Sequence, residues 1–174
     1  MTDGIPSLVV RPLERADLPA ALAIQSEAYP AFLIEEEAAF ASRLDLPNSY
    51  CLTATRDGAL VAYLLAHGWR AQSPPPVGAV LTAPELSEVL FIHDLAVSPA
   101  ARGSGAGRLL VEHAFQLAAA DGVDVAELIA VEGAAPYWRT LGFAEAPTPP
   151  ELAAKVAAYG ADARWMTRYL AIPL

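Results

Sequence analysis

Residues 102–107 read Arg-Gly-Ser-Gly-Ala-Gly and stand directly ahead of Arg108, Leu109, Leu110 and Val111, where a helical pattern begins. That composition suits one kind of chemistry. The first N–H groups of a helix have no intrahelical partner and carry the positive end of its dipole, and glycines let an anion approach that backbone closely. The expected ligand is a phosphate or pyrophosphate held by Arg102, Gly103, Ser104, Gly105, Ala106 and Gly107. Upstream, Val89 to Val97 is apolar apart from His93 and Asp94, as a strand covered on both faces reads. Ser98 and Pro99 end it.

Two familiar phosphate motifs do not fit this turn. A nucleotide P-loop needs a lysine and a hydroxyl residue after its last glycine, and here Arg108 and Leu109 follow Gly107. The GxGxxG spacing of a dinucleotide fingerprint is absent as well.

Other reactive residues are few. The chain has one cysteine, Cys51, which excludes an internal disulfide and a cysteine-based zinc site. His67, His93 and His113 show no metal-ligand spacing, so no metal is expected. Cys51 reads as a small core residue and His113 as a surface or half-buried one. Glu35, Glu36 and Glu37 read as the solvated first turn of a helix, complementing its dipole. The formal net charge of -9 argues against a nucleic-acid surface and favours cationic partners. The same charge also serves solubility alone.

The elements that must position these groups follow from periodicity. The 174 residues, 55% of them hydrophobic, suffice for a single domain, 1–174, with a substantial core. No apolar run has the length of a membrane span, and the N-terminus, MTDGIPSLVV, lacks the features of a signal peptide. A cytoplasmic protein without membrane contact is expected. Ser7 to Leu13 has strand character. Asp17 sits as an N-cap with Pro19 just inside a helix that runs to Pro30, and Ile34 to Leu44 forms a second helix. Tyr50 to Thr55 and Ala59 to Ala66 flank Asp57-Gly58, a hairpin signal, and should pair antiparallel.

Arg70 to Glu85 holds four prolines and no clear period, which marks a long loop of the kind that forms lids or binding walls. The helix after the glycine turn buries Leu110, Ala114, Leu117 and Ala118, and Gly122 ends it. Val125 to Val131 is the next strand, and strand, helix, strand in succession implies a parallel pair. A short helix over Ala134 to Leu141, capped by Gly142, carries Tyr137 and Trp138. A helix over Glu151 to Ala158 and a strand over Arg164 to Leu170 complete the chain.

The strand ending Leu95-Ala96-Val97 followed by Arg-x-x-Gly-x-Gly at Arg102, Gly105 and Gly107, with Tyr137-Trp138-Arg139-Thr140-Leu141-Gly142-Phe143 downstream, resembles the GNAT family of N-acetyltransferases. The resemblance runs from Leu8 to Leu170, and IHDLAVSP, YWRTLGF and AYGADARWM are most similar to bacterial members resembling arylalkylamine and other small-amine acetyltransferases. It implies an α/β (α+β) fold with a mixed, mostly antiparallel sheet of six or seven strands. About four helices would flank that sheet, which splays at its central strands. The splay would admit the pantetheine arm of acetyl-CoA, bonded by backbone groups of Leu95 and Val97 with Ala96 between them, and the glycine turn would hold the pyrophosphate.

The implied activity is direct transfer of an acetyl group from acetyl-CoA to a small primary amine in a ternary complex. An alkylamine with a pKa of ~10.4 arrives protonated, and a histidine with a reference pKa of ~6.5 can remove that proton. His93 falls on one of two strand positions associated with that step in the arylalkylamine branch, and Phe91 occupies the other. Asp94 is the fallback, although alternation directs it to the opposite face. The family commonly supplies a tyrosine acid where this chain has Trp138. The adjacent Tyr137 becomes the candidate acid, and Trp138 is grouped with the cofactor-binding residues. Glu132 or Gly133 stands where the family often has an asparagine.

Candidates for the amine pocket are Tyr29, Phe32, His67 and Trp69, with Glu35 or Glu36 as partners for a cation. Each of them also fits an ordinary core or surface role. A homodimer is compatible with the resemblance. Two other functions stay open, acetylation of a protein or peptide and catalytically silent binding of acyl-CoA.

Overall fold

The computed structural model describes residues 7–84 and 86–171. The N-terminal residues 1–6 and Glu85, the expected end of the long loop, lie outside the described residues.

Seven strands form one sheet: β1 (Val9–Pro12), β2 (Leu52–Arg56), β3 (Ala59–Trp69), β4 (Val89–Val97), β5 (Val125–Ala130), β6 (Ala144–Glu145) and β7 (Arg164–Tyr169). Their order is β1-β2-β3-β4-β5-β7-β6. Only β4 and β5 run parallel, joined by the crossover helix α3 (Ala106–Ala120). The expected mixed, mostly antiparallel sheet is therefore present, with five α-helices. These are α1 (Leu18–Ala28), α2 (Glu37–Leu44), α3, α4 (Ala135–Thr140) and α5 (Pro150–Ala157). The hairpin between β2 and β3 turns at Asp57 and Gly58, both with positive φ, as a two-residue loop that follows strand twist requires.

Helices α3 and α4, with Leu141 just after α4, cover one face of the sheet through Leu110, Val111, Phe115 and Trp138, which pack with Leu64, Leu90 and Ile92. On the other face Ile24 of α1 and Phe40 of α2 pack with Tyr63, Leu65 and Ala96. Leu152 and Val156 of α5 pack there as well, with Phe91, Ile129 and Trp165. Tyr29 touches both clusters on that second face.

Four local elements differ from what the sequence pattern predicts. Asp17 precedes α1 but makes no cap bond to it; its carboxylate instead pairs with Arg11 at 2.7 Å and accepts the N–H of Glu14. The second helix starts at Glu37 instead of Ile34, because Ala31–Leu33 forms a 3-10 turn and Ile34 to Glu36 is extended. Leu117 is 46% exposed, and Val111 and Phe115 take its place in the buried stripe of α3. That helix begins two residues earlier than Arg108, inside the glycine turn.

Two departures from regular pairing shape the middle of the sheet. β4 and β5 pair only from Leu90 to Ile92 against Ala126 to Leu128, so His93 to Val97 leave that side of β4 without a strand partner. Between β3 and β4, Leu65 lies opposite Asp94 and Ala66 opposite Ile92, which makes His93 an extra residue in β4. Such a bulge resets the alternation of side chains.

Candidate active site

The free edge of β4 borders two cavities. The first, of about 310 Å³, is lined among others by Tyr29, Leu33, Glu35, His93, Asp94 and Tyr159. The second, of about 380 Å³, lies along the glycine turn and includes Gly103, Gly105, Ala106, Gly107 and Arg108. Leu95, Val97, Arg102 and Tyr137 line both, so the two meet at the strand edge.

The N–H of Ser98 donates to Val61 of β3, and alternation then turns the peptide groups of Leu95 and Val97 toward the splay. The Leu95 carbonyl accepts the Tyr29 hydroxyl at 2.9 Å. At the turn, Gly105 caps α3 with φ +83°, which a side chain rarely adopts. A Cβ on Gly107 would lie 2.6 Å from the Tyr137 hydroxyl, so glycine lets that hydroxyl approach the first helical turn, where Gly107 lines the second cavity. The N–H groups of that turn have no intrahelical acceptor, and the one at Ala106 reaches Ser104 Oγ at 3.3 Å. These residues fit the pyrophosphate and pantetheine of an acyl-CoA: an anion cradle continues into a strand edge.

The first cavity contains a histidine and a carboxylate in close contact. His93 Nε2 lies 2.5 Å from Glu35 Oε1, and the two side chains are 3% and 4% exposed. A carboxylate only accepts, so Nε2 donates to it, while Nδ1 is buried without a hydrogen-bond partner. Glu35 Oε2 accepts the N–H of Gly78 at 2.7 Å and lies 3.9 Å from Nη2 of the fully buried Arg43. Gln25 of α1 holds the backbone of Glu35 from both sides, accepting its N–H at 2.8 Å and donating to its carbonyl at 3.0 Å. Burial works to raise the Glu35 carboxyl, but the His93 hydrogen bond, the charges of His93 and Arg43 and the Gly78 N–H together hold it below its ordinary value. Glu35 is thus an internal anion, contrary to the solvated first turn expected of it, while Glu36 is exposed.

Asp94 also departs from expectation. The bulge at His93 puts Asp94 on the same face as Tyr63 and Leu65, the face that Glu35 and His93 share. Its Oδ2 accepts the Tyr63 hydroxyl at 2.7 Å, and its Oδ1 is buried without a partner. Burial pushes this carboxyl up, against the charge of His93 and hydrogen bonding from Tyr63 and Tyr29.

Tyr137 is 41% exposed at the junction of the cavities, and Trp138 is buried behind it while also lining the first cavity. Burial raises the Tyr137 phenol, with Arg108 opposing, so its proton is held at neutral pH. Among the expected amine-pocket residues, Tyr29 lines the cavity and three do not. Phe32 is 55% exposed against Gly160. His67 is fully buried against Trp69 and Phe91, its Nδ1 donating to the Gly68 carbonyl. The Trp69 indole donates to Ser73. Ser104 caps Ala106 and does not line the second cavity, and burial pushes the Cys51 thiol up, leaving it an inert core group.

Several wall residues, among them Leu33, Val77 and Tyr159, carried no role in the sequence pattern. Tyr159, after α5, stacks edge-on to His93 and donates its hydroxyl to the Pro75 carbonyl. Val77 comes from the long loop. The prolines of that loop were the available signal for a wall. Tyr159 had none, because its position depends on how α5 docks.

Among the described residues no helix is long and apolar enough to cross a membrane, and no cluster of His, Cys, Asp and Glu is arranged to hold a metal.

The comparisons with known proteins agree with this geometry. No curated protein matches the chain. Solved structures do. The ribosomal-protein-S18-alanine N-acetyltransferase from Escherichia coli superposes with a TM-score of 0.68 at 21% identity, covering 97% of each chain. Rv2747 from Mycobacterium tuberculosis, in complex with CoA and NLQ, gives 0.67 at 17% identity, over 92% of this chain and 98% of that one. The loading GNATL domain of CurA from Lyngbya majuscula gives 0.73 at 11%, over 95% and 98%. At such identities the likeness shows the fold. The family model for the acetyltransferase (GNAT) family matches residues 18–143, from the start of α1 through the glycine turn to the Gly-Phe after α4. With the splayed β4, the anion cradle and that match in agreement, the chain belongs to the acetyltransferase (GNAT) family, enzymes that take their acetyl group from acetyl-CoA.

Proposed function

We propose that the protein transfers the acetyl group directly to a small primary amine in a ternary complex, with the amine held in the cavity beside His93. One observation carries this reading: the cavity is walled off by the long loop. Gly78 is bonded to Glu35, Pro75 to Tyr159, and the N–H of Gln72 to the buried carboxylate of Glu127 at 3.1 Å. An acceptor amine shares a space of about 310 Å³ with the acyl end of acetyl-CoA, and the part left to it is bounded by Leu33, Val77, Tyr29 and Tyr159, which suits a compact amine with an apolar body. Members of the arylalkylamine type take such substrates.

Acetyl-CoA supplies an activated thioester whose acyl carbon accepts the amine nitrogen as the carbon–sulfur bond breaks. Leu95, Val97 and the turn from Arg102 to Gly107 bind and orient it. His93 Nδ1 accepts the proton that the ammonium must lose, and Glu35 holds Nε2–H and balances the positive imidazolium that results. Tyr137, protonated and placed where the two cavities meet, donates a proton to the leaving sulfur.

The test is release of free CoA on incubation with acetyl-CoA and a panel of amines and peptides. Turnover with small alkylamines, lost in His93→Ala while acetyl-CoA binding persists, is expected. Turnover with peptides alone would refute the small-amine reading, and acetyl-CoA binding without any turnover would identify a silent binding protein.

A further inference from the structure

The bulge at His93 leaves a buried polar atom without a partner on each of two adjacent residues of one face. His93 Nδ1 and Asp94 Oδ1 are both buried, both lack a hydrogen-bond partner, and both residues line the first cavity. A buried acceptor without a donor carries an uncompensated desolvation cost, and adjacent residues of a regular strand would not share it on one face. The other buried groups nearby are committed. Tyr63 donates to Asp94 Oδ2, and the Tyr29 hydroxyl, which also acts on the Asp94 carboxylate, gives its proton to the Leu95 carbonyl at 2.9 Å, which leaves Oδ1 without a donor.

We propose that Asp94 is the seat of the substrate ammonium, its Oδ1 accepting one N–H while His93 Nδ1 faces another. An alkylammonium presents three donors on one nitrogen and can serve both acceptors at once. The seat also restricts the substrate. The charged residues lining this cavity are Glu35, His93, Asp94, Arg102 and Glu132, and Arg102 belongs to the turn that binds phosphate. No cation remains among the described lining residues on the amine side to receive a carboxylate. The substrate class is therefore an alkylamine with no anionic group near its nitrogen, and amino acids are excluded. This inference rests on the small-amine reading of the site.

The experiment compares wild type, Asp94→Asn and Tyr63→Phe with phenethylamine, which is cationic at neutral pH, and aniline, which is not. Asp94→Asn keeps an acceptor for Tyr63 but removes the charge. It is expected to raise KM for phenethylamine about tenfold or more, to leave KM for aniline within about twofold, and to leave acetyl-CoA affinity unchanged. Tyr63→Phe removes the hydrogen bond without the carboxylate and should leave KM for phenethylamine within about twofold. Equal losses for both amines in Asp94→Asn, or no loss for either, overturn the seat. Titrating phenethylamine into the CoA-bound enzyme reads the seat without turnover. Tight binding that Asp94→Asn weakens, in an enzyme that acetylates neither amine, overturns the proposed reaction and keeps the seat; no binding overturns the seat.

Discussion

Replacing Glu35 with Gln separates the chemical role of this carboxylate from its structural one. Its Oε1 accepts His93 Nε2–H, its Oε2 accepts the Gly78 N–H, and Arg43 is buried 3.9 Å away. Glutamine keeps the size and one acceptor but removes the charge, leaving a buried guanidinium without a counter-ion. Breaking a buried pair in this way costs about 3–5 kcal/mol. The lower end is expected, because Arg43 Nη1 also donates to the carbonyls of Ala39 and Ala79 and the ion pair is long. A second variant, Glu35→Gln with Arg43→Met, removes both charges and should recover most of that stability.

Activity should not recover with it. The amide oxygen can still accept Nε2–H, but without the carboxylate no charge offsets the imidazolium, and the rate is expected to fall about 10²–10⁴-fold, the usual worth of a positioned acid or base. The assay is CoA release under saturating acetyl-CoA, with denaturant melts of all three proteins. The stability difference also has a pH signature. The Glu35 carboxyl is lowered in the folded state, so its contribution is full above the unfolded value of ~4.3 and is lost as pH falls through the lower folded value. A double variant with wild-type turnover would show that Glu35 serves folding alone and refute its part in the proton path.

Three further perturbations read other parts of the structure. Gly107→Ala should move stability and cofactor binding in opposite directions. Alanine favours a helix interior by about 0.5–1 kcal/mol and displaces only the end of the half-exposed Tyr137, while its methyl narrows the cradle. A higher melting temperature with weaker CoA binding by calorimetry is expected, and unchanged affinity would place the phosphates elsewhere. His67 is lowered to about 3 by burial, with Arg43 and His93 adding to the effect and the Gly68 carbonyl opposing it. The unfolded chain binds this proton near pH 6.5, so stability is full above that value and falls as pH drops toward 3, by about 2 kcal/mol at pH 5. His67→Leu should lack this component in denaturant titrations at pH 7 and 5. At Gly68 a Cβ would lie 2.0 Å from Ser87 Oγ and 2.9 Å from Asn48 Cβ, so Gly68→Ala should destabilise by about 1–3 kcal/mol in the same titrations.

Much of this protein was legible in the chain itself, because local rules govern it. The glycine turn before a helix, the apolar run of β4, the Asp57-Gly58 hairpin and the parallel crossover through α3 each follow from neighbouring residues and periodicity. So does the proposed anion cradle, whose N–H donors belong to a single segment. What surrounds His93 is of another kind. No local pattern distinguishes Glu35 from Glu36 and Glu37, and only the extended residues before α2, clamped by Gln25, turn one of the three inward to the histidine. Alternation directed Asp94 away from His93, and the bulge that reverses this arises from the register between β3 and β4. His67, Tyr159 and Phe32 carry equal aromatic promise as sequence, and the docking of α5 and the long loop brings one of them to the cavity, buries another and exposes the third. The strand edge and glycine turn proposed to hold acetyl-CoA were legible in the chain alone, because Leu95 to Arg108 are one continuous segment. The acceptor end, assembled from α1, the residues before α2, the long loop, β4 and the segment after α5, was decided by tertiary structure, because its geometry depends on registers and packings that no single segment encodes.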